Sequence, residues 1–181
     1  MCHKFKLSAA PDQSLFPDHT EVFDVEKTML GGAAVDDEGA WDEFAPDSAP
    51  PAFDTVLYSY LRKRSQGEFH AYGLTTVKVL TSGQVVQTKC ILTPQMYSTL
   101  LATRKDASRH VVRQRRYCFR SDHQSFHVSH WLSPEPHAGA WFVVAQCEAE
   151  PSVPAFLEVG PELTSLPSGG NEFSFRAMSL K

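Results

Sequence analysis

The run VVRQRRYCF at residues 111–119 restricts the fold of this chain more than any other stretch. Read as a strand, its side chains alternate between two faces. Arg113, Arg115 and Tyr117 then point one way, and Gln114, Arg116 and Cys118 the other. Neither face is purely apolar, so this is not an ordinary sandwich strand, which needs one apolar face to pack on a second sheet.

Other strand-like runs fill much of the chain: EVFDVEKTML, TVLYSYLRKR, EFHAYGLTTVKVL, QVVQTKCIL, SFHVSHWL, AWFVVAQCEAE and EFSFRAMSL. They are rich in β-branched and aromatic residues, and several are parted by short turn signals, SQG, TSG and SDHQ. Thr93-Pro94 has the chemistry of a helix start, continued by QMYSTLLAT, and PAFLEV at 154–159 suits a short, turn-rich helix. Eight strands with two or three helical punctuations, joined mostly by hairpins, predict an all-β (β-rich α+β) fold, an antiparallel tunnel barrel of about eight strands.

At 181 residues the chain is long enough for one domain with its own core, and a single domain over 1–181 is expected. Residues 31–52, GGAAVDDEGAWDEFAPDSAPPA, read as an acidic loop insertion within it. No apolar run approaches the roughly 20 residues of a membrane span, and the first residues lack a secretory core segment. Four scattered cysteines with no CxxC pair suit reduced thiols and a cytoplasmic location.

The net charge of −4 conceals a strong asymmetry. Residues 55–120 hold 12 basic and 2 acidic side chains, whereas residues 1–54 hold 3 basic and 12 acidic. Cations at that density need an anionic partner, counter-ions or acidic flanks.

Alternation sorts the remaining strands in the same way. Tyr58, Tyr60, Arg62 and Arg64 share a face, as do Gln87 and Lys89, and Gln146, Glu148 and Glu150. Asp24, Glu26 and Thr28 stand opposite Phe23, Val25 and Met29, with Lys27 the exception on the apolar side. If the polar faces turn inward, the lumen carries arginines, lysines and carboxylates together. Arginine forks match phosphate oxygens, and carboxylates in the same tunnel suit a divalent cation lying between them and the phosphates.

The order of these elements resembles the CYTH superfamily, the triphosphate tunnel metalloenzymes. FDVEKTML stands at the family's first ExExK strand, YLRKR at the second, RQRRYCF at the fifth, VVAQCEAE at the seventh, and VPAFLEVGPELT at its late helix and turn. The likeness covers about residues 15–181 and is greatest to the C-terminal CYTH-like domain of ATPase-plus-CYTH proteins of the TRPL translocation defect type. It implies Asp24 and Glu26 as metal-binding acids with Glu148 from the late acidic strand, and Glu26 as the catalytic acid. It also implies Arg62, Arg64, Lys89, Arg113 and Arg115 as phosphate ligands and Mg²⁺ or Mn²⁺ as a weakly held cofactor. Thr28 replaces the motif's lysine, Thr75 or Thr76 a late basic residue, Gln87 a glutamate, Ser129 an aspartate, and Gln146 a late acid.

The expected function is therefore binding of a triphosphate, polyphosphate or other phosphorylated small molecule, including a phosphoinositide head group, with weak or absent metal-dependent hydrolysis. An active Mg- or Mn-dependent triphosphatase is the alternative. A single-stranded nucleic-acid-binding barrel is a further one, since tyrosines interleave with the arginines; the acidic flanks stand against it. His127 and His130 fall on opposite faces of one strand and are not a metal pair.

Overall fold

The computed structural model describes residues 2–31, 53–135, 137–146, 152–162 and 174–181. In chain order the elements are β1 (Cys2–Leu7), β2 (Glu21–Leu30), β3 (Thr55–Gln66), β4 (Phe69–Val79), β5 (Val85–Leu92), α1 (Pro94–Arg104), β6 (Val112–Ser121), β7 (Gln124–Ser133), β8 (Trp141–Gln146), β9 (Val159–Glu162) and α2 (Phe175–Met178). All nine strands form one sheet in the order β5-β4-β3-β2-β6-β7-β8-β1-β9, and every pairing is antiparallel.

Hairpin chemistry sets much of this order. Gly67 takes φ +57° between β3 and β4, and Asp122 and His123 take φ +47° and +64° between β6 and β7, as a two-residue turn with both centres left-handed requires. Thr93 caps α1, its hydroxyl accepting from the Met96 amide at 3.2 Å, with Pro94 in the first turn.

The fold class is as expected, a β-rich antiparallel sheet with few helices, and the details differ. The sheet has nine strands and is open, with β5 and β9 as unpaired edges among the described residues. β1 was not expected as a strand. Its Phe5 and Leu7 alternate with Lys4 and Lys6, and pairing with β8 and β9 puts both apolar side chains in the core. PAFLEV forms turns and then enters β9 instead of a helix. The expected last strand is α2, which Ser174 caps through the Ala177 amide at 3.2 Å. No helix of the described residues is long and apolar enough to cross a membrane.

Apolar clusters occupy both faces of the sheet. On one face, Phe5, Leu7, Tyr117, Phe119, Phe126, Val128 and Val143 pack under Phe16 and Leu157, while Leu30, Leu61 and Leu92 pack under Tyr97 of α1. On the other, Val112, Trp131 and Phe142 are covered by Met178 of α2. The second face is the concave one. Lys4 on β1 and Lys89 on β5 both act electrostatically on Lys27 of β2. In a flat sheet they would lie about 19 and 14 Å away, four and three strand spacings, beyond effective reach in salt water. Only a sheet curled around Lys27 brings both close.

Candidate functional site

The register assigns each described candidate residue to a face, because directly paired residues share one. Lys27 pairs with Arg62 on one side and Val112 on the other; Val25 pairs with Arg64 and Gln114; Phe23 pairs with Arg116. The concave face of β2 is thus Glu21, Phe23, Val25 and Lys27, flanked by Arg62 and Arg64 from β3 and by Gln114, Arg116 and Cys118 from β6. Ser129 of β7 stands opposite Arg116, and Thr75 of β4 opposite Lys89.

These cations converge with little compensation. Burial, then Arg116, Lys4, Arg62 and Lys89, hold the Lys27 amine well below an ordinary lysine. Its Nζ lies 5.1 Å from the Phe175 ring centre and 5.8 Å from that of Tyr60, so aromatic faces are its neighbours. Burial also lowers the Arg116 pKa, with Arg62 and Arg64 adding to the effect. Arg116 donates from Nη2 to Gln114 Oε1 at 3.0 Å, while its buried Nε and the buried Nε2 of Gln114 have no partner. The Arg64 guanidinium stacks 3.2 Å from the Phe23 ring centre. His127 shares this face, and burial, Arg116 and Arg64 keep it below the usual histidine range. Among the described residues no carboxylate is among the charges acting on Lys27, Arg116 or His127, although Glu21 acts on the neighbouring Cys118.

Asp24 and Glu26 of the same strand lie on the opposite, convex face, whereas Glu21 stands on the concave face opposite Cys118 and acts on its thiol. Asp24 pairs in register with Arg115 and Glu26 with Arg113. Arg115 forks onto Asp24, Nε to Oδ1 at 2.9 Å and Nη2 to Oδ2 at 3.3 Å, and Arg113 Nε donates to Glu26 Oε2 at 2.9 Å. The Arg113 and Arg115 side chains are 62% and 49% exposed. With Lys63, Ser65 and Leu132 they border a cleft of about 290 Å³. Like charges lie apart and opposite charges face each other, which is how a solvated sheet surface is stabilised.

The expectation that Arg62, Arg64, Arg113 and Arg115 line one lumen is therefore corrected. Arg62 and Arg64 face the concave side, while Arg113 and Arg115 face the convex side with Asp24 and Glu26. Neither Asp24 nor Glu26 shares a face with the concave cations, so they do not form a metal or catalytic pair with them. Glu148 lies outside the described residues. Lys89 belongs to the concave face at the exposed edge strand. Among the described residues no three His, Cys, Asp or Glu side chains gather as a metal set. Around Lys27 and Arg116 the described concave positions offer cations, an amide and hydroxyls, with Glu21 the one described carboxylate of β2 on this face, a donor set poor in the oxygen anions that Mg²⁺ or Mn²⁺ takes.

Two of the most enclosed cations were not assigned to the site from the sequence. Lys27 stood out only as an exception on an apolar face, and Arg116 as a second-face residue of β6. The signal was their shared parity with Gln114 and Cys118, but it becomes informative only when the β2–β6 register is known. His127 and His130 do fall on opposite faces as their spacing implied. His130 stacks on Trp141 at 4.3 Å on the convex side, opposite Arg115.

The fold and site together define an open, curled antiparallel sheet with a cationic concave face. No family model matches the chain, and no curated protein does. A solved structure, the PH1819 protein from Pyrococcus horikoshii OT3, is similar with a TM-score of 0.49 and 10% identity over 83% of this chain and 80% of that one. At that distance nothing about function passes between them.

Proposed function

We propose that the concave face binds the phosphates of a phosphorylated ligand, a triphosphate, a polyphosphate or an inositol phosphate, with little or no hydrolysis. The observation that carries this reading is the convergence of Lys27, Arg62, Arg64, Lys89 and Arg116 on one face, with no carboxylate of the described residues among the charges acting on Lys27 or Arg116. Such an arrangement is electrostatically costly in the free protein, and a polyanion relieves the repulsion while satisfying the open donors on Arg116 and Gln114. Hydrolysis of a phosphoanhydride needs a fixed cation or general acid–base groups against the reacting phosphoryl. Asp24 and Glu26 of β2 point the other way, paired with Arg115 and Arg113.

Calorimetry with tripolyphosphate, a nucleoside triphosphate, inositol hexakisphosphate and a single-stranded oligonucleotide tests the reading. Arg62→Ala and Arg116→Ala should each weaken phosphate binding by roughly 10- to 150-fold, the range for a charge-assisted contact of about 1.5–3 kcal/mol. Arg113→Ala, on the convex face, should leave it unchanged. The two histidines report the face directly. Ligand should raise the NMR titration midpoint of His127 by compensating Arg116 and Arg64, and leave that of His130 in place. Equal losses from Arg113→Ala, a response confined to His130, or tight binding of the oligonucleotide alone would overturn the proposal.

A further inference from the structure

Among the described residues the sheet ends in two unpaired edges, and the chain treats them differently. β9 is four residues long, contains Pro161, which has no N–H to offer a neighbour, and shifts register against β1. Each of these features blunts an edge. β5 has none of them. Its eight residues, VVQTKCIL, pair with β4 in unbroken register, without proline and with Lys89 as the one charge. Between Val85 and Ile91 every side chain but that of Val86 is exposed. Ile91 is 94% exposed, and its partner on β4 is Gly73, which has no side chain to cover it. A straight, β-prone edge with little charge is a template for another strand.

We propose that two copies of this chain join through β5, antiparallel, about a two-fold axis at Thr88. Directly paired residues share a face, so a two-fold between identical antiparallel strands must pass through one residue. An axis at Lys89 would set the two lysines against each other. An axis at Gln87 would leave Ile91 opposite Gly83, outside the strand. An axis at Thr88 uses the whole exposed run. Val85 then opposes the partner's Ile91, Val86 the partner's Cys90, Gln87 the partner's Lys89, and Thr88 its own copy.

This register is self-complementary. Ile91 gains the apolar neighbour that Gly73 does not give it, each lysine meets an amide, and threonine meets threonine, a favourable cross-strand pair. The interface is isologous and therefore closed, so it consumes the long edge and leaves only the blunted β9 edges outside. It also keeps both concave faces on the same side of the joined sheet.

Sedimentation equilibrium of the full chain over a concentration series tests the inference, and a monomer–dimer equilibrium is expected. Gln87 is exposed, so its substitution should spare the fold, which thermal melting checks. Gln87→Glu sets a carboxylate against the partner's Lys89 twice per dimer and should tighten the dissociation constant by roughly 2- to 30-fold. Gln87→Lys should weaken it by a similar factor. A monomer at every concentration, or a dimer indifferent to both substitutions, overturns the inference. Cross-linking then checks the register. Thr88→Cys in a Cys90→Ser background should form a disulfide-linked dimer on oxidation, because directly opposed residues lie within reach of that bond. Cys90→Ser alone should not, and equal cross-linking of the two overturns the Thr88 axis. A monomer whose β5 amides gain protection from hydrogen exchange only with an added extended peptide would assign the edge to a foreign strand and overturn the inference as well.

Discussion

Lys27 shows how one side chain can cost stability and still serve the molecule. Its amine sits among Arg116, Lys4, Arg62 and Lys89, and its folded pKa is pushed well below 10.5, first by burial. Unfolding restores the ordinary value, so the unfolded chain binds a proton that the folded chain lacks. Stability therefore rises with pH between the depressed folded value and 10.5, and the penalty is complete below the folded value. Lys27→Met removes that penalty. It should stabilise the protein at pH 7 by about 1–3 kcal/mol, the scale on which apolar replacement of buried charges acts. The gain should shrink at pH 10, and urea denaturation at the two pH values checks it. A gain of the same size at both would mean that the amine is not perturbed. The same substitution should weaken phosphate binding.

At the scale of elements, β4 shows how a strand makes room for the site. Arg62 is paired in register with Gly73, and the guanidinium extends over that position. A Cβ there would lie 3.8 Å from Arg62 Nη2 and 3.3 Å from the Cys90 carbonyl oxygen. Gly73→Ala should therefore leave Arg62 in ordinary contact and phosphate affinity unchanged, the tight approach being to the Cys90 carbonyl. Its effect on stability should stay within about 1 kcal/mol, because the reduced freedom of the unfolded chain offsets the tight contact. Affinity by calorimetry and stability by thermal melting separate the two effects. A several-fold loss of affinity would mean that Arg62 packs on this position more tightly than a 3.8 Å contact. Helix α2 closes the far end of the same face. Phe175 packs 4.8 Å from Tyr60, and Met178 is buried against Val112, Trp131 and Phe142. EFSFRAMSL reads as a strand by composition, yet Ser174 caps a turn of helix that lets Phe175 and Met178, three residues apart, share one buried side. Tertiary packing outweighed β propensity there.

For the whole molecule, the curvature of the sheet converts separate basic strands into one site. A polyanion that binds only the folded chain should raise its stability by about 2.7 kcal/mol at 100 times the dissociation constant. Because the contacts are ionic, the gain in melting temperature should shrink as salt is raised from 50 mM to 500 mM. A thermal shift indifferent to salt would point to a different binding mode. The sequence by itself determined the β-rich class, seven of the strands, the helix at Pro94–Arg104 and the partition of each strand into two faces, since period-two alternation and turn residues are local properties. It separated Arg113 from Arg116, and His127 from His130, on that ground alone. It did not determine which face is inside, because both faces of β2 and β6 mix apolar and charged residues. That depended on strand order, on the pairing of β2 with both β3 and β6, and on the curl that brings Lys4 and Lys89 to Lys27. These are relations between residues far apart in the chain. They are settled by which apolar surfaces can be covered together, and no single strand carries that information.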